Sequence, residues 1–246
     1  MIDVSNILNC HISLCPNTRT KSYQIITLFE ALNNIRKATY EKQVANMRRL
    51  LSNGNICSYR AKKKQLPSYI FTGIAYGKRY KFDISGYTSL IVIDIDKLAD
   101  INLVKSQLLL DGHVISMWES PSGKGLKALF YIDYMEPVNA DNIWIAHEHC
   151  AFQQIAAYLY EKYSIPVDKT GADIARLCFV SSDPNIHLKK EFEPFKVHID
   201  LTKKQIWKIR AKYYYGNKDR CKAIAEMKRI SKLTNSNVDI PTSKQP

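Results

Sequence analysis

The sequence predicts an α+β protein whose segments surround one apolar strand. Three observations support this fold class: residues Leu90 to Leu98 read LIVIDIDKL, apolar residues recur at helical spacing over residues 21–51 and 139–163, and strand-like segments flank a turn-rich loop at residues 119–125. At 246 residues, of which 46% are hydrophobic, the chain can bury one large core or one core with a smaller appendage.

The first part of the chain predicts helices followed by short strands. Residues 1–20 leave a strand and an N-terminal arm open as alternatives, and we assign them no function. Residues 21–51 predict a pair of helices, with Asn53-Gly54 as a stop signal. Strand-like segments follow over residues 56–61 and 69–75, before the central apolar strand.

After the central strand, the pattern predicts a β-hairpin enclosed by helices. The expected elements are a helix over 101–110, strands over 113–118 and 126–132, a helix over 139–163 that ends before Pro166, and a strand over 175–181. Residues 21–200 should form the main domain, residues 201–233 a basic helical tail with its helix over about 203–230, and residues 234–246 a disordered end.

The chain is strongly basic, and most of its surplus charge lies near the C-terminus. The formal net charge is +13 and the pI is near 9.4, which favours a polyanionic partner such as nucleic acid. Residues 201–246 hold twelve Lys or Arg against three acids, so +9 of the +13 lies there. A smaller basic group comprises Arg60, Lys62, Lys63 and Lys64, followed by Lys78, Arg79 and Lys81.

The cysteine and hydropathy patterns indicate the cellular compartment in which the protein works. Six cysteines are scattered without a CxxC pair, which argues against a disulfide framework and a zinc ribbon and predicts reduced thiols. The sequence has no run of eighteen apolar residues, and its start lacks a basic flank followed by an apolar segment. We therefore expect a cytoplasmic protein without a membrane partner.

Asp94 and Asp96 close the central apolar strand. Alternation along a strand puts both carboxylates on one face, about one pleat apart. Two neighbouring charges at the end of a buried strand are costly unless they are compensated, and Mg²⁺ or Mn²⁺ is a common compensation. The alternative is a surface strand end with two solvated acids; the hydrophobic residues before the pair favour a metal site.

The loop between the predicted hairpin strands reads SPSGKGLK from Ser120 to Lys127. Its small residues let backbone amides approach phosphate oxygens, and Lys124 and Lys127 add positive charge. The loop is not a Walker A motif, because Gly125 follows Lys124 where that motif needs Ser or Thr. Considered alone, the loop is better explained as an ordinary tight hairpin with solvated lysines.

A third group of polar residues follows the long helix, at Val167-Asp168, Asp173 and Arg176. Asp168 is a candidate for a third metal ligand, and Arg176 for binding a triphosphate or pairing with an acid. His147 and His149 are two residues apart on the predicted helix. They therefore face different ways, so no shared metal is predicted for them.

These blocks, in this order, resemble the archaeo-eukaryotic primase superfamily, and within it the branch named after a VirE N-terminal domain, found in mobile elements and phages beside replicative helicases. The resembling residues are LPSYIFTG from Leu66 to Gly73, GYTSLIVIDIDKL from Gly86 to Leu98, SPSGKGLKALF from Ser120 to Phe130 and VDKTGADIARLCFVSSDP from Val167 to Pro184. The resemblance covers about residues 20–195. It implies an RRM-like mixed sheet with flanking helices, joined to a smaller αβ unit, with a metal site in the cleft between them.

Three motifs of that superfamily match positions of this chain. The acid-x-acid motif matches Asp94 and Asp96. The second motif ends in a basic residue, usually His, and this chain has Lys127, or alternatively Lys124, at that place. The third motif, a hydrophobic residue followed by an acid, matches Val167-Asp168.

The resemblance implies a metal-dependent primase-polymerase that makes short primers on single-stranded DNA from nucleoside triphosphates. Asp94, Asp96 and Asp168 would hold one or two Mg²⁺ or Mn²⁺ ions, with Lys127 as a fourth catalytic residue. The implied nucleotide contacts are Ser120, Ser122, Gly123, Lys124, Lys127 and Arg176. The implied nucleic-acid contacts are Lys62, Lys63, Lys64, Lys203, Lys204, Lys208 and Arg210, with Trp207 and Tyr213 to Tyr215 as candidate stacking surfaces; for the tyrosines, burial is the alternative.

Two other functions remain open from the sequence. One is a replication accessory that binds nucleic acid and recruits a helicase without catalysis. The other is a nuclease that uses the same carboxylates. Since the chain has no Walker A motif, any replicative helicase partner is expected to be a separate polypeptide.

Overall fold

Two larger β-sheets and the helices packed on them form an α+β fold. The computed structural model describes residues 1–78, 83–96, 98, 100–212 and 218. The strands are β1 (Ile2–Asp3), β2 (His11–Cys15), β3 (Gln24–Thr27), β4 (Ser68–Ile70), β5 (Ile74–Ala75), β6 (Ile84–Ser85), β7 (Leu90–Asp96), β8 (Val114–Glu119), β9 (Gly125–Tyr134), β10 (Cys178–Phe179), β11 (His187–Leu188), β12 (Glu191–Phe192) and β13 (Phe195–Val197). The helices are α1 (Ser5–Leu8), α2 (Leu28–Arg36), α3 (Glu41–Ser52), α4 (Ile56–Lys63), α5 (Ile101–Leu110), α6 (Ile143–Ile145), a π-helix (Ala146–Ala151), α7 (Phe152–Tyr163), a 3-10 helix (Lys169–Ala172) and a C-terminal helix described over residues 203–212.

The first sheet has the strand order β10-β4-β2-β3 and is antiparallel throughout. Its interior strand β2 lies within residues 1–20, the segment for which the sequence left a strand and an arm open. Ile12 and Cys15 of this strand are fully buried. The N-terminal residues therefore contribute to the core of the protein.

The predicted helix pair of residues 21–51 is present as α2 and α3. The first helix begins later than predicted, because residues 24–27 form β3 instead. Thr27 ends that strand and caps α2: its hydroxyl accepts from the Glu30 N–H, and the Glu30 carboxylate accepts from the Thr27 N–H.

The strand predicted over residues 56–61 is wrong, because α4 occupies this segment. The side chain of Asn55 accepts a hydrogen bond from the Ser58 N–H and caps the helix. Ile56 and Tyr59 favour strands by intrinsic propensity, but the cap and the following run of Arg and Lys, which are good helix formers, decide for a helix.

The second sheet has the order β11-β8-β9-β7, and β13 runs parallel to the end of β9. Strand β9 lies between β7 and β8 and is antiparallel to both. Helix α5, predicted at the same residues, connects β7 to β8. The central strand and the hairpin of the prediction are thus confirmed.

The second sheet lies between two hydrophobic cores. Ile93 and Ile95 of β7 pack with residues of α5 and α7 on one face. Val92 packs with the core that contains the first sheet on the opposite face. Because side chains alternate along a strand, Asp94 and Asp96 share the face of Val92 and point toward the first sheet.

The predicted long helix is one continuous helical segment with a π-helical middle. It begins at Ile143 in α6, passes through the π-helix and ends with α7. Ser164 follows in the left-handed conformation, with φ 56°. π-helical turns inside α-helices are frequent at functional sites, and this one carries His147.

A buried carboxylate ties α5 to α7 below the second sheet. Asp111, which has no exposed surface, accepts hydrogen bonds from the hydroxyls of Tyr158 at 2.5 Å and Tyr163 at 2.7 Å and from the His113 N–H at 2.9 Å. Burial opposes ionisation, but these donors hold the pKa of Asp111 below its ordinary value.

The predicted tail helix is described over residues 203–212, where Lys212 forms an ion pair with Glu161 of α7. The rest of the predicted helix, to residue 230, lies outside the described residues except for Lys218, and so does the predicted disorder beyond residue 233. Within the described ranges, every helix is too short or too polar to cross a membrane.

Candidate functional site: carboxylates and cations between the two sheets

Asp94 and Asp96 lie on one face of β7, as the alternation predicts. Both are half-buried, and the fully buried Ile93 and Ile95 alternate with them. Asp94 lines a small cleft between the two sheets, together with Val92, Phe71, Asp173, Arg176 and His147. We call this the carboxylate cleft.

Lys127 stands directly opposite Asp94 across the strand pair β7–β9. Its side chain is almost fully buried, and its ammonium forms an ion pair with the Asp94 carboxylate. Burial by itself lowers the pKa of a lysine, but the Asp94 charge outweighs burial and the pKa of Lys127 is raised. Lys127 therefore remains a cation that neutralises Asp94, and its implied contact with a triphosphate stays a prediction.

Asp168 is adjacent to Asp94 through the backbone. Its N–H donates to the Asp94 carbonyl at 3.5 Å, and its side chain accepts from the Thr170 N–H at 3.1 Å to cap the 3-10 helix. The fold thus brings the third predicted acid next to the first. In the part of the chain that the structure describes, no group of three or more His, Cys, Asp or Glu side chains converges tightly enough to hold a metal.

The donor set nevertheless suits magnesium. Mg²⁺ prefers oxygen ligands, keeps several waters and is usually held by one or two carboxylates together with substrate phosphates. Asp94 and Asp96 supply two carboxylates on one strand face. They could hold such an ion without a third protein ligand, provided that Lys127 yields part of its contact with Asp94.

The hairpin loop from Ser120 to Gly125 lies against the end of β7. The Ser120 N–H donates to the Gly125 carbonyl at 2.8 Å, and the Gly123 N–H donates to the Ser120 carbonyl at 2.9 Å. A Cβ at Gly125 would lie 2.5 Å from the Ile95 carbonyl and 3.2 Å from the Asp96 carboxylate. Only glycine fits there, so the loop backbone sits beside Asp96.

The other predicted loop residues are in place around this turn. The Ser120 and Ser122 hydroxyls are 2.9 Å apart, and the Ser122 hydroxyl accepts from the Lys124 N–H at 3.3 Å. Gly123 has φ +70°, a left-handed conformation that favours glycine. Lys124 is exposed and can reach a ligand at the mouth of the loop.

Arg48 of α3 holds the loop, and sequence reasoning missed it. Its guanidinium donates to the carbonyls of Pro121 at 3.2 Å, Ser120 at 3.3 Å and Ser182 at 3.4 Å. Arg48 and Ser120 are 72 positions apart along the chain. No local pattern connects residues so distant, so only the packed structure shows this contact.

Two further cations face the carboxylates. Arg176 is exposed and lines the carboxylate cleft, and its guanidinium donates to the Thr170 hydroxyl at 3.2 Å. Lys63 of α4 is half-buried and interacts electrostatically with Asp94 and Asp96, as well as with Lys127 and Arg176. Sequence reasoning assigned Lys63 to nucleic-acid binding only, because it lies in a basic run.

His147 lines the inner end of the carboxylate cleft. Its Nδ1 lies 2.9 Å from the Tyr87 hydroxyl, which in turn lies 3.2 Å from the Tyr134 hydroxyl. Burial lowers the pKa of His147 to about 3, so the ring is neutral at physiological pH. Burial also raises the pKa of the neighbouring Cys178 thiol to about 11, which keeps it protonated.

The predicted nucleic-acid contacts lie on α4 and on the C-terminal helix. Lys62 and Lys64 are exposed on α4. On the C-terminal helix, Trp207 is 70% exposed. The basic residues exposed beside it are Lys203, Lys204, Lys208 and Arg210. Arg79, Lys81 and the tyrosines 213–215 lie outside the described residues.

One family model matches the chain. It is the model of the BT4734-like, N-terminal domain, and it covers residues 61–187. Since this range is just over half of the chain, the protein belongs to that family. The matched range contains β7, the hairpin loop, Asp168 and Arg176. No curated protein and no solved structure matches the chain.

Proposed function

We propose that this protein is a metal-dependent nucleotidyltransferase of the primase-polymerase type, which makes short primers on single-stranded DNA in the replication of a phage or mobile element. The observation that carries the proposal is the group of acids and cations in and beside the carboxylate cleft. Two acids on one strand face, a third acid joined to that strand by its backbone, and three cations meet between the two sheets.

The strand order supports the same proposal. β7, α5, β8 and β9 form a β-α-β-β unit in which β9 lies between β7 and β8, with α5 and α7 on one face. This is the arrangement expected for an RRM-like sheet. In this proposal the first sheet with α2 and α3 would be the smaller αβ unit, with the acids in the cleft between the two units.

Each residue of the site has a proposed role in nucleotidyl transfer. Asp94 and Asp96 are the proposed metal ligands, Asp168 is the candidate third ligand beside Asp94, and Lys127 holds the Asp94 side chain in position through their ion pair. Arg176, Lys124 and the loop residues Ser120, Ser122 and Gly123 would bind the triphosphate. In the reaction the 3′-oxygen of the primer forms a bond to the α-phosphorus, and the bond to the departing pyrophosphate breaks.

When bound, Mg²⁺ or Mn²⁺ would lower the pKa of the 3′-hydroxyl and stabilise charge on the pyrophosphate. The exposed basic residues on α4 and the C-terminal helix would hold the template strand through its phosphates, largely without sequence preference. A replicative helicase is the proposed protein partner, and the cytosol the proposed compartment.

Primer synthesis on a single-stranded template tests the proposal. The full chain is incubated with template, nucleoside triphosphates and Mn²⁺ or Mg²⁺, and we expect products of several nucleotides. Asp94→Asn should abolish them, while Asp133→Asn, which changes an acid of the same sheet away from the cleft, should not. Absence of any product longer than a dinucleotide with either metal would refute the proposal.

A non-catalytic replication accessory is the second candidate. It is favoured by the ion pair between Lys127 and Asp94, which already neutralises one of the proposed ligands. This candidate predicts salt-sensitive binding of single-stranded DNA that Asp94→Asn leaves unchanged. Shortening of the template in the same assay would instead indicate a nuclease.

A further inference from the structure

We propose that Lys63 binds phosphate groups of a nucleoside triphosphate beside the carboxylate cleft, together with Arg176. The inference rests on the proposed function. It assigns Lys63 to the same site, although its place in the basic run of α4 predicts only a nucleic-acid contact. Phosphate is the chemistry that Lys63 would recognise. Its two sources, a free nucleotide and a nucleic-acid backbone, are separated by experiment below.

The position of Lys63 on α4 differs from that of its basic neighbours. Tyr59 and Lys63 are four residues apart and therefore lie on one face of the helix. Both are half-buried, and both interact electrostatically with Asp96. Lys62 and Lys64 are exposed. One face of α4 is therefore turned to the acids, and the neighbouring lysines point to solvent.

The ammonium of Lys63 is held near the cleft by an aromatic ring. Its Nζ lies 5.4 Å from the centroid of the Phe179 ring, within the range of a cation–π contact. Phe179 follows Cys178, which lines the carboxylate cleft. The Lys63 ammonium thus lies against a residue that is next in sequence to the cleft lining.

The charge environment of Lys63 favours an anion from outside the protein. Burial lowers the pKa of Lys63 and the Lys127 charge adds to this effect, while the charges of Asp96 and Asp94 offset only part of it. Burial of an ammonium is costly unless an anion compensates it, yet among the described residues no carboxylate forms an ion pair with Lys63. A phosphate placed between Lys63 and Arg176 would supply that compensation.

The ion pair between Lys127 and Asp94 supports Lys63 and Arg176, rather than Lys127, as the phosphate-binding cations. Lys127 is committed to Asp94 and is almost fully buried, so it cannot also reach far toward a ligand. Arg176 is exposed and Lys63 is half-buried on α4, and among the described residues neither forms an ion pair with a carboxylate. A triphosphate, with several negative charges in a short span, matches two separated cations better than a single phosphate does.

Equilibrium binding of a non-hydrolysable ATP analogue with Mg²⁺ tests the assignment on the full chain. Lys63→Gln should weaken nucleotide affinity about tenfold or more, since a hydrogen bond to a charged group is lost. Lys63→Arg, which keeps the charge, should stay within about threefold of wild type. The matched control is Lys62→Gln, an exposed lysine one position away, which should leave nucleotide affinity unchanged.

Binding of a labelled single-stranded oligonucleotide to the same variants separates the two phosphate sources. We expect Lys62→Gln and Lys63→Gln to weaken it equally and only slightly, as each removes one cation from a broad surface. If Lys63→Gln leaves nucleotide affinity unchanged, or if Lys62→Gln weakens it as much, the assignment is refuted while the proposed function stands. If the wild type binds DNA but no nucleotide, both fall and the accessory function is favoured.

Discussion

The buried ion pair between Lys127 and Asp94 permits a quantitative test of the site's architecture. Lys127→Met removes the ammonium, retains a side chain of similar length and leaves the Asp94 carboxylate without its counterion. Breaking a buried pair by removing one partner costs about 3–5 kcal/mol. The Asp94 side chain is 23% exposed, and water can partly solvate the remaining charge. We therefore expect the free energy of unfolding to fall by about 2–3 kcal/mol.

The double variant Lys127→Met/Asp94→Leu removes both charges and should regain most of this loss. Replacing a buried pair by apolar residues is often neutral, so the coupling energy of the mutant cycle should be about 2 kcal/mol. Urea unfolding followed by tryptophan fluorescence gives each free energy by linear extrapolation.

The matched control for this cycle is Lys124→Met, which changes an exposed lysine of the same hairpin. It should alter the free energy of unfolding by no more than about 0.5 kcal/mol. A loss below about 1 kcal/mol for Lys127→Met, or a double variant whose loss equals the sum of the single losses, would refute a strong pair.

Three further predictions concern other parts of the molecule. Burial lowers the pKa of His147 to about 3, so below about pH 6.5 the unfolded chain gains a proton that the folded chain does not, and the free energy of unfolding falls by up to about 1.4 kcal/mol per pH unit. His147→Gln should flatten this slope in urea unfolding measured from about pH 6.5 to 4.5, and an unchanged slope would contradict the prediction. Gly125→Ala forces a Cβ to within 2.5 Å of the Ile95 carbonyl and should destabilise the protein by about 3 kcal/mol in thermal unfolding. The control Gly112→Ala, whose Cβ would have its nearest contact at 3.4 Å, should not destabilise it, and equal effects of the two variants would disprove the close approach. Trp207→Ala should leave the free energy of unfolding within about 0.5 kcal/mol of wild type. It should weaken the binding of single-stranded DNA, measured by fluorescence anisotropy, about tenfold, and an unchanged affinity would show that Trp207 does not stack on bases.

Elements with a strong local pattern were predictable from the sequence. The helix over residues 101–110 and the strand of Leu90 to Asp96 appear where periodicity placed them. Local pattern failed at α4, where strand-favouring residues lie in a helix that Asn55 caps. It also placed the start of the first helix too early, because it did not separate β3 from α2.

The sequence by itself determined that Asp94 and Asp96 share a strand face, because alternation is a property of the strand alone. Only the tertiary structure determined which residues lie next to these two acids. The register of β7 with β9 places Lys127 against Asp94, and the packing of α4 turns Lys63 toward the same acids. Such contacts depend on strand pairing and packing between distant segments, which no local pattern encodes, and they convert a pair of acids into a candidate phosphate-binding site.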